Sequence, residues 1–181
     1  RMLFLMFGVQ LVTLVLQPLL ALFVAELQGD LEGVALTAGI VCSVAGIAGA
    51  VAAPLWGRVG QKKGFALILQ IAFLGAAVWN ALQFFAVDIV QFSLLQALFG
   101  FFVVGVFPAI NTIAVQSSNE NFRGRLFGLT TTANQLGCMT GPLLGGFISA
   151  SWGIRPVFLL TASLLLFLAL LSRNGKICRQ H

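Results

Sequence analysis

Gly57-Arg58-Val59-Gly60-Gln61-Lys62-Lys63-Gly64 separates two long apolar runs, one read over about 34–55 and the other over about 65–87. It holds three cations and no acid. Glycines permit a tight turn between closely packed segments. Cations beside an apolar run favour the cytoplasmic face of a membrane and the C-terminal end of the preceding helix. The segment therefore reads as a short cytoplasmic loop joining two membrane-spanning helices.

The same punctuation recurs on either side. Apolar stretches lie at about 2–25, 34–55, 65–87, 91–116, 126–149 and 156–172, each near the roughly 20 residues that cross a hydrocarbon core as a helix. Charge is confined to the gaps: Glu26, Asp30 and Glu32, then Arg58, Lys62 and Lys63, then Asp88, then Glu120, Arg123 and Arg125, then Arg155. If Arg1 is cytoplasmic and the chain crosses at every stretch, every basic residue but Arg155 is inside and every acid but Glu120 outside. Both termini are then cytoplasmic. The expected architecture is an all-α membrane protein of the cell (inner, cytoplasmic) membrane, with a six-helix transmembrane domain over 1–172 and a cytoplasmic basic tail over 173–181 carrying Arg173, Lys176 and Arg179.

Composition excludes several classes. Of 181 residues, 59% are hydrophobic and 8% charged, with a mean hydropathy of +1.02, whereas soluble domains carry about 25% charge. The net charge of +5 is split among membrane-flanking loops, where it meets anionic lipid, and no nucleic-acid partner is expected. Runs such as Ala66-Leu67-Ile68-Leu69 and Leu164-Leu165-Leu166-Phe167 lack the alternation of a transmembrane β-barrel. The opening apolar run continues to Ala25, beyond the h-region of a signal peptide, and reads as a first membrane helix. A chain that begins with Arg1 so close to that helix reads as part of a longer protein. Cys42, Cys138 and Cys178 have no paired spacing and the single histidine, His181, is terminal, so no metal site, cofactor or catalytic constellation is expected and the chain is not read as an enzyme.

An internal repeat divides the chain. Pro18 and Pro108 sit in the first and fourth stretches, and Gly49-(x4)-Pro54-Leu55-x-Gly57 in the second recurs as Gly137-(x4)-Pro142-Leu143-x-Gly145 in the fifth. An odd number of crossings per triplet inserts the second triplet upside down relative to the first. Inverted three-helix repeats with proline- or glycine-interrupted helices at matching positions are a signature of secondary transporters. Proline and glycine are also frequent in membrane helices generally.

Several segments carry a family resemblance. Gly57, Arg58, Gln61, Lys62, Lys63 and Gly64 resemble the cytoplasmic loop signature of the major facilitator superfamily, with Gln61 standing where that family usually has Asp. Arg123-Gly124-Arg125, within Asn121 to Gly128, is similar to the segment that leads from the fourth into the fifth helix of a superfamily half. Gly137, Gly141, Pro142, Gly145 and Gly146 resemble the helix-bend element of its drug:proton antiporters, although small residues at this spacing also serve close helix packing. Gly153-Ile154-Arg155-Pro156-Val157-Phe158 before the last helix is likewise similar to the family. The resemblance spans the chain and is to the C-terminal six-helix half of a multidrug exporter. It implies efflux of lipophilic drugs by proton antiport with alternating access, an N-terminal six-helix half as partner, and the lipid bilayer as surroundings.

No Asp, Glu, Lys, Arg or His stands in the middle of an apolar stretch, which places any proton-coupling acid in the other half. Neutral polarity remains. Gln10, Thr13 and Gln17 share one face of the first helix by i, i+3, i+7 spacing, Asn111 follows Pro108 in the fourth, and Asn134 and Gln135 lie in the fifth. By resemblance, the first, second, fourth and fifth helices line the central cavity while the third and sixth face lipid, so these six residues are the candidate substrate contacts. An amide in hydrocarbon is also a common helix–helix contact. Alternatives left open are a metabolite or sugar carrier of the same superfamily and a nonfunctional truncated six-helix membrane protein.

Overall fold

The computed structural model describes residues 2–29, 32–116, 118 and 122–173. Arg1, Asp30, Glu120, Asn121 and the tail beyond Arg173 lie outside the described residues. Every regular element among those described is an α-helix: α1 Met2–Gln28, α2 Val34–Lys63, α3 Phe65–Gln83, α4 Ile89–Gln116, α5 Arg123–Trp152 and α6 Arg155–Arg173. This is what a chain must do where no water can satisfy backbone N–H and C=O groups. All but α5 are long and apolar enough to cross a membrane by length and composition. In α5, Thr130 to Thr132, Asn134, Gln135 and its glycines dilute the apolar content.

The segment around Lys62 departs from the loop expected of it. Helix α2 continues through Gly57, Arg58, Gln61, Lys62 and Lys63, and Gly64 alone separates it from α3. The physical reason is that Arg, Gln and Lys are good helix formers, and Lys62 and Lys63 in the last turn meet the negative end of the helix dipole. Gly64 closes the helix by donating its N–H to the Gly60 carbonyl at 2.9 Å and turns the chain at φ +91°. Gly153 does the same between α5 and α6, with φ +85° and a 3.0 Å bond to the Ser149 carbonyl. Arg123, Gly124 and Arg125, expected as a connecting segment, form the first turn of α5. Helix α3 stops at Gln83, short of the expected 87, where Phe84, Phe85 and Ala86 tighten onto the carbonyls three residues earlier.

Short connections set consecutive helices antiparallel, but the main packing partners are not the sequence neighbours alone. Helix α1 packs most extensively on α5, α2 on α4, and α3 on both α4 and α6. The core includes Leu5, Val9 and Phe23 of α1, Phe73 of α3, Phe92 and Ile110 of α4, and Leu165 of α6. The polar edge of α3 faces α6: buried Asn80 donates from Nδ2 to Thr161 Oγ1 at 2.7 Å and to the Phe158 carbonyl at 3.1 Å. Gln83, on the same edge, is fully buried.

Helices α2 and α5 are the least covered. Helix α2 exposes Leu36, Ile40, Ile47, Val51 and Leu55, and α5 exposes Leu136, Met139, Leu143 and Phe147. What α5 buries is a stripe, namely Thr130, Gly137, Gly141 and Gly145. A methyl group at Gly137 would stand 3.0 Å from the Phe7 carbonyl oxygen, and at Gly145 2.7 Å from that of Val15. The α1 and α5 backbones therefore touch along three glycines. Gly146 faces open space and α5 runs unbroken through the exposed Pro142.

Two substitution pairs test this arrangement by thermal unfolding in detergent. Gly145→Ala should lower the unfolding temperature, since the methyl group meets α1 backbone, whereas Gly146→Ala should raise it slightly through helix propensity, by about 0.5–1 kcal/mol. Nothing lies within 4 Å of a methyl group at Gly64, so Gly64→Val should cost about 1–3 kcal/mol through backbone strain alone. Lys62→Gln, on the exposed end of α2, should stay within about 0.5 kcal/mol of the parent.

Candidate functional site

The glycine stripe of α5 continues toward its N-terminus as larger and more polar residues. Phe127, Thr130, Thr131 and Asn134 precede Gly137 on or beside the same face, at i, i+3/i+4, i+7 spacing. Where the glycines stand, α1 and α5 close on each other; where these side chains stand, the helices cannot close, and a cavity of about 190 Å³ opens. Met6 of α1 and Phe107 and Asn111 of α4 complete its lining. The walls are thus aromatic and thioether surface, and the polar groups are two amides and two hydroxyls. The lining holds no titratable side chain.

Hydrogen bonds decide which of those polar groups have capacity to spare. Thr130 donates its hydroxyl to the Phe127 carbonyl at 2.9 Å within its own turn, leaving only acceptor lone pairs. Asn134 Oδ1 is buried and has no hydrogen-bond partner. An unmatched buried acceptor costs about 1–3 kcal/mol.

The six candidate contacts read from sequence are not gathered in one place. Asn111 and Asn134 line the cavity. Gln10 points its Nε2 at Cys138 Sγ, 3.3 Å away on α5, and so bridges α1 and α5 beside Gly137. Thr13 turns its hydroxyl back to the Val9 carbonyl at 2.8 Å. Gln17 on α1 and Gln135 on α5 are exposed. Met6, Phe127, Thr130 and Thr131 were not among the six, although the i, i+3/i+4, i+7 pattern ending at Asn134 was present in the sequence as a signal for the α5 residues. Met6 carried no such signal, because only the packing of α1 on α5 brings it there.

Arg155 shows why a cation stands among the acids. Its Nε donates to Glu26 Oε1 at 3.3 Å, its Nη1 to the Phe84 carbonyl at 3.4 Å, and its guanidinium lies 5.6 Å from the centre of the Phe23 ring. Phe23 in turn meets Phe92 and Phe158 edge-on. The ion pair is exposed and worth less than about 1 kcal/mol by itself, but the side chain ties the ends of α1, α3 and α6 together. At the basic end, Arg58, Lys62, Lys63 and Arg125 are exposed. Between the two ends, Trp56 of α2 donates its indole N–H to the Phe101 carbonyl of α4 at 2.8 Å, with its ring against Gly105.

Comparison with known proteins places this arrangement. The chain is 36% identical over 167 residues to the multidrug resistance protein MdtG of Salmonella dublin and to that of Salmonella typhimurium, and 35% identical to that of Salmonella arizonae. In each case the match takes in 92% of this chain and 41% of the relative, so the chain spans less than half the length of the curated relatives it matches. The sequence profile described as Major Facilitator Superfamily matches residues 2–174. An all-helical chain with several membrane-length helices, matched to that profile over nearly its whole length, belongs to the major facilitator superfamily of membrane transporters.

Proposed function

We propose that this chain is the C-terminal six-helix half of an exporter of lipophilic compounds, working by alternating access against an N-terminal half and driven by protons. The observation that carries the reading is the polarity left facing outward within a membrane helix. Gln17 lies deep within α1 and is exposed, as is Gln135 of α5. A glutamine facing lipid at that depth is costly and rare, so the α1–α5 face requires a polar neighbour. A central cavity closed by the other half supplies one. The names of the relatives and the chain's share of their length support both the missing half and the multidrug substrate class.

The packing also supports two inverted three-helix repeats. Exchanging α1–α3 with α4–α6 turns the α1–α5 contact into the α4–α2 contact, and both are extensive. Gly49 and Gly137, equivalent in the repeated motif, each face the first helix of the opposite triplet, at Val104 and Gln10 respectively. Gly64 and Gly153 close equivalent hairpins with similar φ. In this reading the basic helix ends are cytoplasmic, the Arg155 end is extracytoplasmic in the inner membrane, and the proton-coupling acid belongs to the other half, because the described charges of this one sit at helix ends.

Two measurements test the proposal. In the whole transporter, Gln17→Ala and Gln135→Ala should change the relative export of different compounds by about 2–10-fold at normal protein levels. Asn80→Leu should instead lower the amount of folded protein, because it strips the α3–α6 hydrogen bonds. A drug profile untouched by both glutamine variants would remove the cavity-facing assignment. After Cys42, Cys138 and Cys178 are replaced by serine, single cysteines at Asp88 and Gly153 should react with an impermeant thiol reagent in intact cells, and one at Lys62 should not; the reverse pattern would invert the topology.

A further inference from the structure

We infer that the outward face of α2 at its basic end binds an anionic phospholipid, with Arg58 and Lys62 on the headgroup phosphate and the apolar stripe beside them against an acyl chain. That the leaflet is the cytoplasmic one rests on the topology of the half-transporter reading; the lipid site itself does not.

The stripe follows from helical spacing. Leu36, Ile40, Val44, Ile47, Val51 and Leu55 recur at steps of three or four residues and therefore share one face of α2. All six are exposed, while the other side of the helix buries Val41, Ala52 and Trp56. From Leu36 to Leu55 the stripe runs about 28 Å at 1.5 Å per residue, close to the roughly 30 Å of a hydrocarbon core. No other helix of the chain covers this face, and its length is that of the lipid layer.

Basic charge closes the face at one end. The same step continues from Leu55 to Arg58 and from Arg58 to Lys62, so both cations stand on the stripe, about 5 and 10 Å past its last leucine. A headgroup layer extends roughly 5–8 Å beyond the hydrocarbon, and side chains on a helix lean toward its N-terminus, which brings Lys62 back toward that layer. Both cations are exposed, and neither has an ionic partner among the described residues. Lys63 lies about 100° further round the helix and is off the stripe. The dipole end of α2 opposes a phosphate with about half a charge, less than the two cations supply. In a zwitterionic lipid the phosphate is already met by its own ammonium group, so the pair selects a headgroup of net negative charge.

Native mass spectrometry of the 181-residue chain, stripped of lipid in nonionic detergent, reads the first binding event for phosphatidylglycerol and for phosphatidylcholine with the same acyl chains. At low ionic strength phosphatidylglycerol should bind about 5–20-fold more tightly, and the ratio should shrink as salt rises. Arg58→Gln with Lys62→Gln should bring the ratio below about 3-fold, whereas Lys63→Gln with Lys176→Gln, which removes the same charge elsewhere, should leave it within about 2-fold of the parent. Equal affinity for the two lipids, or equal loss of the preference in both double variants, would overturn the inference. A second measurement decides what covers the stripe. In the whole transporter, photoreactive benzoylphenylalanine placed at Ile47 or Val51 should attach to phospholipid. Attachment instead to a protein segment outside this chain would overturn the inference and leave the half-transporter reading standing, while loss of drug export in any transport assay would leave the lipid preference untouched.

Discussion

Direct backbone contact between α1 and α5 is the constraint on which the site depends. Membrane helices gain little from the hydrophobic effect when they meet, because lipid tails are as apolar as leucine, and association rests on close packing and hydrogen bonds. Gly137, Gly141 and Gly145 provide the packing by removing every side-chain atom from the contact with Phe7, Leu11, Leu14 and Val15. That same approach fixes where the helices cannot touch. One turn before Gly137 the residue on the stripe is Asn134, and before it come Thr130 and Phe127; their bulk holds open the gap that Met6, Phe107 and Asn111 complete. The cavity is the consequence of a change in side-chain size along one helix face.

Several polar groups within the bundle bind helices together. Asn80, Thr161 and the Phe158 carbonyl join α3 to α6, and Trp56 with the Phe101 carbonyl joins α2 to α4. These contacts stand away from the α1–α5 face. On that face, Asn134 Oδ1 is unmatched and Gln17 and Gln135 are uncovered. A glutamine left facing lipid is costly, which is why the two uncovered glutamines carry the proposal that the α1–α5 side meets another part of the protein. Unmatched buried atoms also occur elsewhere, at Gln28 Oε1, Asn80 Oδ1 and both amide atoms of Gln83, and no functional reading attaches to them.

Arg155 illustrates how charge placement and packing answer different questions. By the distribution of cations it is an exception, lying with the acids rather than with Arg58, Lys62 and Lys63. By contact it is a tie among three helix ends, held by Glu26, the Phe84 carbonyl and the Phe23 ring. A cation at the first position of α6 works against that helix's dipole. The aromatic and carbonyl partners gathered around it offset that disadvantage.

Class and helix number follow from the sequence alone, because hydrocarbon imposes a length and a composition on anything that crosses it. The Gly49–Pro54 and Gly137–Pro142 motifs and the loop resemblances were likewise readable, since they are local patterns. Helix ends were less so: α2 continues past the apolar boundary to Lys63, as the backbone ladder does not stop where the lipid does. Pairwise contacts could not be read at all. Spacing put Gln10, Thr13 and Gln17 on one face of α1, yet only the docking of α5 decides that Gln10 meets Cys138 and Gln17 stays exposed. It also decides that Asn111 and Asn134, on different helices, share one cavity with Met6. Helical periodicity fixes which residues face the same way, but which surface lies opposite is set by the fit of one helix against another, and here that fit is set by three glycines.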